Sequence, residues 1–408
     1  MLQPIIFLLI SLFLLVVSGI YVARRLVRPM HFSFVIRRLL LSIMAIAFAF
    51  AYSAPGFMFL ARKQLVSFSF ANSVQSWSYP FLGYLSILMT VLIIEDVFIL
   101  LRKSVLFAFW HMHSRRVIAR FSGYFHFLRR SHRAERLGRL SVFIISIAIY
   151  STAIKNGKEP LLTEVQTPVF NLARGFEGYR IALITDVHVG PVYGRELVEK
   201  IVAKTNDAKV DLIVIAGDAA DGMPENLEPE VAPFANLHAT DGVVYVTGNH
   251  EYYWDAIAWM KTFEKLGARV LMNSEKIIRR GDSILAVGGV PDRQGQRFIP
   301  SHIIDITKTF SQTPHNANTT WILAAHQPKV VEDAIAAGVD LQLSGHTHGG
   351  QFFPWTWVVR LLQTYPRGLF ELGNTTLFVS QGAGAWGPPL RLGASAEIPI
   401  LTLEPKKL

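Results

Sequence analysis

Ser344-Gly345-His346-Thr347-His348-Gly349-Gly350-Gln351 follows directly on the short run Asp340-Leu341-Gln342-Leu343. On extended backbone, residues i and i+2 point the same way. At a strand end turning into a glycine-bounded loop, His346 and His348 can therefore face one small volume. Neutral imidazole is the commonest metal-ligating side chain, and the flanking glycines let backbone approach without a Cβ in the way. Alone, the pair is also compatible with two loop histidines and no metal. The chain upstream decides between these readings.

Working back from that stretch, short apolar runs end in chemistry-bearing residues. Arg180 to Thr185 runs into Asp186-Val187-His188, and Val210 to Ala216 into Gly217-Asp218. Val243 to Thr247 runs into Gly248-Asn249-His250-Glu251, and Trp321 to Ala325 into His326. Amphipathic stretches lie between them, at 196–206, 256–266 and 330–337. Strands alternating with helical patterns predict an α/β domain. Open α/β sheets gather ligands beyond the carboxyl ends of their strands. Each residue has a plain alternative: Asp218 could cap a helix, Asn249 could hold a turn, and His188 could be a loop histidine. Together and in this order they predict a metal site. Carboxylate, imidazole and amide oxygen suit a borderline-hard divalent ion such as Mn, Fe or Zn, and the count suits two ions sharing one carboxylate. Two ions ~3.5–4 Å apart clamp a phosphate and acidify a bridging water. His250, next to Asn249, is placed to protonate a leaving oxygen.

The ordered set D-x-H (Asp186, His188), G-D-x-x-D (Gly217, Asp218, Asp221), G-N-H-E (Gly248 to Glu251), His326 and G-H-T-H (Gly345 to His348) resembles the calcineurin-like metallophosphoesterases. The extended ending G-H-T-H-G-G-Q is most similar to the membrane-associated bacterial branch. The resemblance covers roughly Tyr179 to Leu403. It implies a four-layer α/β sandwich of two mixed β-sheets flanked by helices. It also implies two metal ions, one on Asp186, His188, Asp218 and His348, the other on Asp218, Asn249, His326 and His346. His250 would be the general acid, with Asp221 and Glu251 supporting.

Further on, Gly373-Asn374 predicts a hairpin between 369–371 and 375–380. Arg391 matches phosphate geometry and is read as a phosphate contact or a structural salt bridge. Trp355 and Trp357 form either an apolar lip at a membrane surface or core packing. His238, His302 and His315 read as ordinary surface residues.

The 408 residues are 51% hydrophobic and 17% charged, which is too apolar for one soluble enzyme. Residues 1–156 hold 18 Lys/Arg and 3 Asp/Glu, and the remainder 22 and 27. The formal charge of +10 therefore belongs to the first third, and no nucleic-acid partner is expected. The absence of cysteine excludes disulfides and thiolate sites. Apolar runs at 4–23, 39–60, 79–101 and 140–154 predict about four transmembrane helices, an all-α anchor over 1–156 ahead of a catalytic domain over 157–408. A span needs ~20 residues. Pro55-Gly56 should kink the second run, and the fourth is short. Glu95-Asp96, inside the third, are expected to pair with or snorkel toward Arg102-Lys103. The 104–138 segment reads as an interfacial amphipathic stretch. Arginines at 24, 25, 28, 37 and 38 and ten basic residues from Arg102 to Arg139 place the first and third loops in the cytoplasm. The catalytic domain then lies on the outer face of a bacterial cytoplasmic membrane. The expected partners are membrane lipid and a phosphorylated small molecule or lipid. A soluble-nucleotide phosphodiesterase and a metal-bound scaffold are the other readings.

Overall fold

A computed structural model describes residues 2–30, 32–63, 65–112 and 132–406. The chain divides into two compact units, Met1–Thr152 and Ala153–Leu408.

The first unit is helical: α1 (Leu2–Leu26), α2 (Phe34–Ala51), α3 (Ala54–Arg62), α4 (Phe68–Met112) and α5 (His132–Gly157), whose last turns belong to the second unit. Among the described residues, three stretches are long and apolar enough to cross a membrane: Phe34–Ala51, Phe68–Val105 and Leu137–Gly157. Apolar side chains point outward along them, for example Ile46, Phe98 and Ile144. Two expectations change. The run at 39–60 is two helices, because Pro55 lacks an amide hydrogen and sits in the first turn of α3, where none is needed. The fourth run is longer than the expected fifteen residues, since polar Asn156 and Lys155 continue the helix to Gly157. Glu95 and Asp96 find partners on other helices. Arg139 lies 2.6 Å and Arg25 3.1 Å from Glu95, and Arg25 lies 2.8 Å from Asp96. The centre of the amphipathic stretch, 113–131, lies outside the described residues.

The second unit begins with β1 (Leu161–Val169) and β2 (Arg180–Ile184), followed by α6 (Arg195–Asp207), β3 (Leu212–Ala216), α7 (Pro224–Val231) and β4 (Val243–Val246). Then come α8 (Asn249–Trp254), α9 (Ala256–Lys265), β5 (Arg269–Val270), β6 (Ser274–Arg280), β7 (Ser283–Gly289), α10 (Ile306–Thr309) and β8 (Thr319–Ala324). It closes with α11 (Val331–Ala337), β9 (Leu341–Ser344), α12 (Trp355–Leu362), β10 (Gly368–Leu372), β11 (Thr375–Val379) and β12 (Glu397–Pro405). Two mixed six-stranded sheets result, ordered β1-β12-β2-β3-β4-β5 and β10-β11-β9-β8-β7-β6. Strands β2, β3 and β4 are parallel neighbours in the first, and β7, β8 and β9 in the second. The expected hairpin is β10–β11.

Alternation along β2 shows how the layers form. Ile181 and Leu183 face the core between the sheets, with Leu212, Val214, Leu285, Ile322 and Leu343. Ala182 and Ile184 face the outer core under α6, which presents Leu197, Val198, Ile201 and Val202. Strands buried on both faces read as continuous apolar runs. Each such side chain removed from water contributes ~1.5–3 kcal/mol. Helix ends follow local chemistry: Asp255 caps α9 by accepting from the Ala258 amide, and α11 stops at Gly338 with φ 81°.

Candidate metal centre

The carboxyl ends of β2, β3, β4, β8 and β9 converge. Backbone bonds lace their loops together: the Asp186 amide donates to Gly217 O, the His188 amide to Asp218 O, and the Gly345 amide to His326 O. The space between these loops is tight. A Cβ on Gly345 would collide with Asp186 Oδ2, and one on Gly248 with Asp218 Oδ1.

All eight residues singled out from the sequence are brought together. Asp186, His188 and His348 form one group with ligand atoms in mutual reach, and Asp218, His326 and His346 another. His188 Nε2 and His348 Nε2 lie 3.0 Å apart, and His348 Nε2 is 3.4 Å from Asp186 Oδ1. In the second group His326 Nε2 is 3.1 Å from Asp218 Oδ2 and 3.3 Å from His346 Nδ1. Asp218 Oδ2 is also 3.8 Å from His188 Nε2, so it faces both groups.

Two of the rings are held from behind through Nδ1. His326 Nδ1 donates to Ala216 O at 2.8 Å, and His188 Nδ1 donates to Asp221 Oδ2 at 3.1 Å. Both bonds engage Nδ1, so Nε2 is the nitrogen each ring turns toward the candidate ligand group. Burial, with repulsion from His326, pushes the His346 imidazolium down to about 4. Burial also holds His348 well below the ordinary range, helped by His188. Both rings are thus neutral. The Asn249 side-chain oxygen is buried without a hydrogen-bond partner among the described residues. Leaving such an atom unpaired costs ~1–3 kcal/mol, and an oxygen-accepting cation would relieve it. These residues fit divalent ions.

Supporting carboxylates hold the loops. Buried Glu251 accepts from the amides of Gly248 at 2.6 Å, Ala219 at 2.7 Å and Asp218 at 3.1 Å. Asp221 accepts from both His188 Nδ1 and His250 Nδ1. Burial alone would lower the His250 imidazolium, but Asp221 and Asp218 outweigh it and push it up to about 9. The His250 amide donates to Asp218 Oδ1 at 2.8 Å. Its Nδ1 is engaged by Asp221, so Nε2 is left to donate. The ring stands edge-on to Trp386, with centroids 5.8 Å apart.

Arg391 corrects an expectation. It is wholly buried and cannot reach a substrate. Its guanidinium donates to the carbonyls of Gly384 (2.9 Å), His348 (3.0 Å), Gly382 (3.2 Å) and Ser395 (3.3 Å), and Nη2 lies 3.2 Å from His348 Nδ1. It is a carbonyl clamp behind His348. Trp355 and Trp357 are exposed, so they are not core. His302 bonds the Tyr252 hydroxyl and His315 the Asp340 carboxylate. The sequence reading missed Asp292: it is buried after β7, pushed up to about 6 chiefly by burial, and accepts from Gln327 Nε2 at 3.0 Å and from the Gln294 amide at 2.8 Å.

The sequence pattern of the calcineurin-like phosphoesterase family matches residues 179–350. A metallophosphoesterase of Helicobacter pylori (strain ATCC 700392 / 26695) is 39% identical over 243 residues, 59% of this chain and 64% of that protein. One from Campylobacter jejuni is 33% identical over 271 residues, 66% of this chain and 70% of that protein. A transmembrane protein with metallophosphoesterase domain from Danio rerio is 30% identical over 276 residues, 65% of this chain and 62% of that protein. Histidine and aspartate clusters at the strand ends of a two-sheet α/β fold make a candidate metal-binding site. The chain belongs to the calcineurin-like metallophosphoesterases, and it spans 56% to 64% of the length of several of the relatives it matches.

Proposed function

We propose that this chain is a membrane-anchored phosphoesterase working with two divalent ions, Mn, Fe or Zn, that share the Asp218 carboxylate. Asp186, His188, Asp218 and His348 would hold one; Asp218, Asn249, His326 and His346 the other. When bound, the ions supply a Lewis-acid clamp on the phosphate and an acidified water. The protein's own groups do the rest. His250 Nε2 delivers a proton to the leaving oxygen, and Asp221 fixes the rings of His188 and His250 at once. Glu251 ties the Asp218 and Asn249 loops together. The observation that carries the reading is the buried Oδ1 of Asn249, unpartnered among the described residues, next to the His250 amide that anchors Asp218.

The helices at 34–51, 68–105 and 137–157 favour a substrate that shares the bilayer, a phospholipid or lipid-linked sugar phosphate. The basic loops favour the outer face of a bacterial cytoplasmic membrane. Nucleic acid is not among the expected partners. The test is the full-length chain purified in detergent, with metal quantified and phosphodiester and phosphomonoester assayed in mixed micelles and in solution. Two ions per chain, turnover greatest on the micellar ester, loss with Asp218→Ala and strong reduction with His250→Ala are expected. Metal without turnover on any ester, or full activity in His250→Ala, would refute the reading. Faster turnover of soluble nucleotide esters would refute the lipid assignment alone.

A further inference from the structure

Helix α12 is apolar on the side that faces away from the protein. Trp355 is 49% exposed, Trp357 63%, Leu361 86% and Leu362 77%, whereas Thr356 is buried. No acidic residue lies among its eight. Arg360 is exposed and has no carboxylate partner among the described residues. Its charge adds to burial in lowering the nearby Arg367 guanidinium, so two cations share this surface. A groove of about 390 Å³ runs beside the helix, walled by Phe353, Trp357, Leu392 and Arg360. Exposed tryptophan and leucine with arginine at the edge describe the face of an interfacial helix. Tryptophan settles at the level of lipid headgroups.

The backbone around α12 indicates what covers it. The Phe353 amide donates to Leu392 O. One residue earlier, the Arg391 amide donates to Ala153 O at 3.0 Å, and Asn156 Nδ2 donates to Arg391 O at 3.3 Å. The loop 389–393 thus holds the entry to α12 at one end and the final turns of α5 at the other. Those turns complete the apolar stretch Leu137–Gly157. Trp386, bonded to both amide atoms of Gln351 and 56% exposed, extends the apolar surface to the rim beside His250.

We propose that α12 docks on an anionic lipid bilayer, with Trp355, Trp357, Leu361 and Leu362 in the headgroup–acyl boundary and Arg360 beside lipid phosphate. The proposal goes beyond the reaction and rests on the anchoring reading above. Docking holds the rim of the metal centre at headgroup height, within reach of an ester carried by a lipid.

The chain has no cysteine, so a single nitroxide can be placed anywhere without a background. Full-length Leu361→Cys, Ile335→Cys and Ile46→Cys variants would be labelled in phosphatidylcholine–phosphatidylglycerol nanodiscs. Collisions with oxygen and with a water-soluble nickel chelate would then be compared. Ile46, on the apolar helix α2, reports anchoring; Ile335, on α11, reports a water-facing surface. The expected result is an oxygen preference at Leu361 several-fold above that at Ile335 and close to that at Ile46. Arg360→Glu, or nanodiscs of phosphatidylcholine alone, should reduce it. An aqueous label at Leu361 with a lipidic label at Ile46 overturns docking and leaves anchoring intact. An aqueous label at Ile46 overturns both. A Leu361 label shielded from both reagents, with spin–spin broadening, points to a second copy and overturns the lipid assignment. Insensitivity to Arg360→Glu and to lipid charge overturns the part given to lipid phosphate.

Discussion

Asp221→Asn isolates the carboxylate that serves two imidazoles. One oxygen accepts from His188 Nδ1 at 3.1 Å and the other from His250 Nδ1. Burial opposes the charge, but the two imidazoles hold the Asp221 carboxyl far below its usual range. Asparagine keeps the volume and one acceptor, while its amide nitrogen only donates. One ring therefore keeps its partner, and the other meets a donor and must turn or move its proton. A hydrogen bond to a charged group contributes ~1.5–3 kcal/mol, which corresponds to a loss of roughly 10–150-fold at ~1.4 kcal/mol per decade. The readout tells which ring suffers. If His188 loses its orientation, calorimetric metal affinity falls by that factor; if His250 does, kcat falls while metal binding holds. Both would be measured on the full-length protein, with thermal unfolding as a control for folding. Wild-type metal affinity together with wild-type kcat would refute the claim that Asp221 orients either ring.

Three other outcomes follow from the same geometry. Arg391→Lys replaces a planar fork spread over four carbonyls by a point charge with three donors. A loss of ~2 kcal/mol at ~1 kcal/mol per broken bond is expected, read as a melting temperature lower by roughly 4–8 °C; an unchanged midpoint would show that the clamp is dispensable. Gly345→Ala drives a methyl group into Asp186 Oδ2 and Thr185, and should give protein that is insoluble or lacks metal at the Asp186 group, so a soluble variant with full metal content would count against the packing described here. Chelation should abolish turnover and lower the unfolding midpoint, because ligands that bind only the folded state stabilise it, and adding back one of Mn, Fe or Zn should restore both.

The convergence of the candidate ligands was legible because they stand immediately after apolar runs, where strand ends can be read off the chain. The same rule would have found Asp292, which follows β7 in the same way. The partition into two sheets was not readable from the runs themselves. Strands β2, β3, β8 and β9 are all buried on both faces, and nothing in their composition says which partner sheet they join; the family resemblance supplied that. Arg391 was misread for a physical reason. An arginine among prolines and glycines has the composition of a phosphate-contacting loop, while the carbonyls that enclose it come from His348, Gly382, Gly384 and Ser395, brought together only by the fold. The split of the second apolar run at Pro55 and the extension of the fourth to Gly157 arose at element ends, where helix continuation depends on one or two residues.

Backbone strain explains why these loops need so much support. Asp186, His188, Asp218, His346 and His348 all have positive φ, between 51° and 72°. A non-glycine residue there costs of order 1–2 kcal/mol, and clusters of such residues persist only where the surroundings over-determine them. Glu251 fixes three amides around Asp218, Asp186 accepts from the His346 amide at 2.9 Å, and Arg391 clamps the carbonyl of His348. Glycine at any of the five positions would relieve the strain but would remove a candidate metal ligand, so the restraint is built into the neighbours. The cost of holding a carboxylate or imidazole in the left-handed region is therefore offset by hydrogen bonds from buried neighbours. Glu251 and Asp186 stand inside the sequence motifs and could be read there, whereas Arg391 stands in none and its clamp could not.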